Sequence, residues 1–200
     1  MKTLFRPSPV IGRLNQEDIA LFFKLWFALT YSINCKHKIV PPFKKPAYED
    51  NEGGYPFLEI RKELWKNPAL IDEFLAEDDT ELSFDEKAIL ASWRTHFISD
   101  NFIVLKYFKQ YSVFMPSSNP TRLYGVLGIS DSIEMQMRCV LPRMVETTLL
   151  PFKGKIIFDS LMIVSGTQFS NEEQAAFVKD YKRIKAESGI VECINSQTMI

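Results

Sequence analysis

Three observations predict an α+β fold for this chain. Helix-start signals crowd the first hundred residues, runs of aromatic and β-branched residues fill much of the second hundred, and a capping box near residue 170 opens one last helix. The expected order is N-terminal helices, then an antiparallel β-sheet with a hairpin at Lys153-Gly154, closed by a C-terminal helix. A length of 200 residues fits a single domain, 1–200, mainly helical over 1–100 and sheet plus closing helix over 101–200. Phe is abundant (16) and Gly scarce (8), the composition of a dense core. A chain this long buries roughly 70% of its unfolded surface and needs no disulfide or metal to hold it.

The first helix has a marked start. Asn15 caps it, Asp18 sits at the third helical position near the positive helix end, and Leu14 staples onto Ile19. From Ile19 to Ile33 the segment is apolar nearly all round, so protein must surround it, either its own domain or a second copy. A homodimer through this helix is therefore one expectation. The run is about 15 residues and contains Lys24, too short for a membrane span of roughly 18 or more, so no membrane partner is expected. Pro41-Pro42, Pro46 and Gly53-Gly54 mark a long loop. Residues 57–66 are weakly periodic. Asn67-Pro68 opens a helix to about Glu77, and the capping box Ser83-Phe84-Asp85-Glu86 opens another through Trp93. The acidic run 77–81 between them reads as a solvated loop.

After Asp100, Phe102–Phe108 and Tyr111–Met115 read as strands, with a helix the alternative for the first. Leu123–Ile129, with Gly125 and Gly128, is another strand, and Ser130-Asp131-Ser132-Ile133 opens a short acidic helix. Met144–Phe152 and Ile156–Val164 form the hairpin about Lys153-Gly154, where glycine supplies the freedom of a tight turn. Ser170-Asn171-Glu172-Glu173 starts the last helix, which ends near Gly189.

Net charge is −1 but uneven: +6 over 1–46, −9 over 47–100 and +2 over 101–200. The asymmetry implies an acidic segment packed beside a basic one, or else a partner face. The three cysteines, Cys35, Cys139 and Cys193, share no C-x-x-C spacing, and the N-terminus does not read as a signal peptide. A reducing cytoplasm is expected.

No P-loop, G-x-G-x-x-G, G-x-S-x-G or H-E-x-x-H occurs, and two histidines are too few for a histidine-rich metal site. No cofactor is expected. Among carboxylates, Asp159 is the anomaly, an acid adjoining the apolar strand Ile156-Ile157-Phe158. Asp159 with Asp131 and Glu134 as acid/base or metal-holding groups, assisted by Lys155, is the arrangement a small metal-assisted phosphodiester hydrolase would need. Otherwise Asp159 ends the strand by local hydrogen bonds and the lysines solvate the turn. Lys106, Tyr107, Lys109 and Tyr111 interleave cations with rings, as sheets that stack single-stranded RNA do.

The segments Tyr124-Gly125-Val126-Leu127-Gly128 and Leu149-Leu150-Pro151-Phe152-Lys153-Gly154-Lys155-Ile156-Ile157-Phe158-Asp159 resemble a pattern in a family of uncharacterised bacterial proteins. The resemblance covers about a fifth of the chain and implies a bacterial or phage-like origin and a hairpin that matters to the fold or site. It carries no activity and no functional residues.

The reading that follows is a non-enzymatic binding or regulatory module, uncharacterised in its ligand. Lys153, Gly154 and Lys155 present the binding surface, and a protein is the expected partner ahead of nucleic acid. The hydrolase and the RNA-binding sheet are the alternatives.

Overall fold

The computed structural model describes residues 12–44, 57–77 and 80–194. Most of the long loop expected around Pro46 and Gly53-Gly54, and part of the acidic run 77–81, lie outside the described residues. Helices α1 (Gln16–His37), α2 (Phe57–Lys66), α3 (Ala69–Leu75) and α4 (Phe84–His96) come first. Strands β1 (Ile98–Tyr107), β2 (Ser112–Pro116) and β3 (Tyr124–Val126) follow, then the short α5 (Ile133–Met137), β4 (Arg143–Phe152), β5 (Lys155–Phe158), β6 (Ile163–Val164) and α6 (Asn171–Ser188). The α+β order is as the sequence predicts. Phe102–Phe108 resolves as strand: its residues alternate between two cores, Phe102 and Val104 in one, Ile103 in the other.

The sheet differs from the expectation in two ways. It closes on itself, because β1 is long enough to pair with β2 through residues 102–107 and with β4 through residues 98–104. A bulge at Leu105 accompanies this double pairing, bending the strand as closure requires. It is also not wholly antiparallel, since β3 and β5 pair in parallel through Val126 and Ile156. The ring β1-β2-β3-β5-β4 is a small five-stranded barrel.

The β3–β5 seam is short, and other segments finish it. Leu127 N–H donates to Ile156 O at 2.9 Å. On one side Gly125 N–H donates to Val191 O and Val191 N–H to Leu123 O, both at 2.8 Å. On the other, Gly128 N–H donates to Gly12 O at 3.0 Å and Leu14 N–H to Gly128 O at 3.1 Å. The predicted strand Leu123–Ile129 is therefore cut back to three residues, because Gly128 turns toward the segment before α1.

The large core joins the barrel to α1–α4. Phe22 and Trp26 of α1 pack among Trp65, Trp93 and Phe152, and Trp93 Nε1 donates to Pro151 O at 2.9 Å. Ile19, Phe22, Leu25, Trp26, Leu29 and Ile33 of α1 are thus buried within the described chain, while Leu21, Phe23 and Phe27 are half-buried. The charge asymmetry is met the same way: Lys24–Glu86, Lys36–Glu77 and His37–Glu73 tie α1 to the acidic segment at 2.6, 2.7 and 3.0 Å. A smaller core places Tyr181 and Ile184 of α6 over Ile103, Val113, Met115 and Leu123.

Candidate functional site

The β4–β5 turn is built as the sequence predicts, with positive φ at Lys153 (48°) and Gly154 (74°). Its lysines, however, are occupied. Asp18, only 3% exposed, receives Lys153 Nζ at 2.5 Å and Lys155 Nζ at 3.3 Å. Asp18 also holds Asn15, whose Nδ2 donates to Oδ2 at 3.1 Å. Burial pushes the Asp18 carboxyl up, but the hydrogen bonds and charges of both lysines outweigh it and leave it below the ordinary range. The hairpin is therefore a clamp between barrel and α1.

That clamp has a defined pH response. A carboxyl held below its unfolded value of about 3.9 adds stability that is full above that pH and is lost as pH falls through the folded value. Asp18→Asn is expected to cost about 1–2 kcal/mol near neutrality. Urea titrations of both proteins should show the difference shrinking below about pH 4; a constant difference down to pH 2 would sink this account.

The three carboxylates proposed for phosphodiester chemistry are not brought together. Asp131 is exposed in the loop before α5, where its carbonyl accepts Gln136 Nε2 at 3.0 Å, and Glu134 is exposed in the first turn of α5. Asp159 is fully buried elsewhere. Among the described residues no group of three or more His, Cys, Asp or Glu side chains is placed to hold a metal ion.

Asp159 has a different partner, which the sequence reading missed. The edge of β4 is lined first by β5 and then by β6, and the residues between them bulge out, with Ser160 at φ 70°. The bulge aims Asp159 at α2. Arg61 Nε donates to Asp159 Oδ2 at 2.5 Å and Trp65 Nε1 to the same oxygen at 2.6 Å, while Arg61 is only 3% exposed. Arg61 also reaches Thr148 Oγ1 at 3.4 Å and Glu146 Oε1 at 3.8 Å. Burial pushes the Asp159 carboxyl up, and Arg61 and Trp65 pull it back only in part. A signal for Arg61 existed: it stands in the stripe Ile60, Leu64, Trp65 that α2 buries, where a cation requires a buried anion.

The interleaved run 106–111 splits between faces. Tyr107 turns toward the main core, where burial and then the neighbouring Cys139 push its hydroxyl pKa up. Lys106 lies on the opposite side, its Nζ 4.3 Å from the centre of the Tyr181 ring. Tyr107 and Lys106 therefore do not share a face.

The β1–β2 turn itself lines an open groove. Residues 108–111, with Lys185, Ile190 and Glu192 from α6 and the segment after it, enclose about 520 Å³, within the roughly 300–1,000 Å³ of small-ligand sites. Phe108 is 41% exposed and meets Tyr111 edge-on, with centroids 5.8 Å apart. Burial raises the Tyr111 hydroxyl pKa, and Glu192 beside it, sharing a hydrogen bond, raises it further. Lys109 and Lys185 make no ion pair among the described residues.

No family model, curated protein or solved structure matches the chain. Among the described residues no helix is long and apolar enough to cross a membrane.

Proposed function

We propose that this chain is a non-enzymatic binding module whose ligand surface is the groove at the β1–β2 turn, in place of the β4–β5 hairpin. One contrast carries the reading. Lys153 and Lys155 are both already ion-paired to Asp18, whereas Lys109 and Lys185 make no ion pair among the described residues and line, with Glu192, a groove that carries the exposed Phe108 ring. A surface that keeps cations and apolar area uncovered at one place has interaction free energy left to give a ligand. The separation of Asp131, Glu134 and Asp159 supports binding over hydrolysis at those residues.

The test is a heteronuclear NMR titration of the full chain with three probes: a single-stranded 12-mer oligonucleotide, a poly-glutamate peptide and a nucleoside triphosphate. At least one probe is expected to shift the amides of 108–111 and 185–192. Shifts confined to 153–155, or none with any probe, would overturn the assignment.

A further inference from the structure

We infer that the groove takes single-stranded nucleic acid, an inference that rests on the binding-module reading. Three cations gather on one flank. Lys106 lies 4.3 Å and Lys185 5.7 Å from the centre of the same Tyr181 ring, and Lys185 also lines the groove with Lys109. Several cations on one flank gain most from an anion that repeats along a chain, as phosphodiesters do. The whole chain carries −1, so the attraction is local to this flank.

The rings decide between polyanions. Phe108 meets Tyr111 by an edge-on contact and is 41% exposed, so it has surface to offer an unpaired base. An acidic peptide satisfies the lysines but brings nothing to stack, and a duplex keeps its bases paired and out of reach. Glu192, on the groove wall beside Tyr111, adds a preference. A carboxylate accepts from the exocyclic amino groups of cytosine and adenine and repels the carbonyl edge of uracil, so oligo-C and oligo-A should bind ahead of oligo-U.

The experiment is fluorescence anisotropy of the full chain with labelled 12-mers of C, A and U as RNA and C as DNA, a duplex of the same length, and a poly-glutamate peptide. The single strands are expected to bind, with log affinity falling against log salt at a slope near −2, about 0.7 for each of three lysines. Phe108→Ala should weaken binding about tenfold, and Lys109→Ala should reduce the slope by about 0.7. Glu192→Gln should narrow the gap between C and U. All three positions are at or near the surface, and circular dichroism checks each fold. The RNA and DNA arms show whether the 2′-hydroxyl is read. Poly-glutamate binding without oligonucleotide binding overturns this inference and leaves the module reading standing. Binding that is indifferent to Phe108→Ala overturns it too, and no binding by any probe removes both.

Discussion

Asp159→Ala is expected to destabilise the protein by about 3–5 kcal/mol, the range for breaking a buried ion pair from one side. The alanine leaves the Arg61 guanidinium, 3% exposed, with only the weaker contacts to Thr148 Oγ1 and Glu146 Oε1, and strips Trp65 Nε1 of its acceptor. The reciprocal change separates the pair from simple loss of volume. In Arg61→Met the carboxyl of Asp159 must stay neutral, and holding it protonated costs more as pH rises. The deficit of Arg61→Met should therefore grow between pH 5 and 8, while that of Asp159→Ala has no such proton to hold. A double variant, Arg61→Met with Asp159→Leu, should recover most of the loss, because two apolar side chains need no charge balance. Urea unfolding followed by circular dichroism gives all three values; a cost below about 1 kcal/mol for Asp159→Ala would show that water reaches the pair.

Gly128→Ala is the second large effect. A Cβ on Gly128 would lie 1.9 Å from Asp131 O and within 3.0 Å of two further backbone atoms of the same loop, so the loop must move. The same residue receives Leu14 N–H and donates to Gly12 O, and displacing it loosens the entry to α1 as well. The cost should be roughly 3 kcal/mol or more. Gly154→Ala is the comparison: its Cβ would meet nothing within 4 Å, and only the φ of +74° resists it, for about 1–2 kcal/mol. Thermal melts that rank Gly154→Ala as the more harmful would contradict this packing.

These two positions also show what the residue pattern reveals. Caps at Asn15, Ser83 and Ser170 write their helices directly, because each uses contacts within four residues of itself. Aromatic and β-branched residues mark β1, with a helix the alternative because periodicity does not separate the two, and the turn chemistry of Lys153-Gly154 marks the hairpin. Closure of the sheet was not legible, because it depends on β1 serving two partners at once and on a parallel pairing of one residue. Asp159 stood out as an anomaly, yet its meaning lay 98 residues away in Arg61. The hairpin lysines looked free because Asp18, 135 residues before Lys153, reads locally as a helix-start acid. The groove is assembled from the β1–β2 turn and the far end of α6, two segments with no local signature in common.

The seam between β3 and β5 has a consequence in time. During synthesis α1–α4 and the first strands emerge early, but Gly125 and Leu123 hydrogen-bond to Val191, which follows α6. Until that residue leaves the ribosome, β3 presents unpaired amide and carbonyl groups along one edge, a template for pairing with a neighbouring nascent chain. A chain stopped within α6 would lack the partner of the Gly125 amide and the Leu123 carbonyl, and Val191 is the residue that ends their exposure.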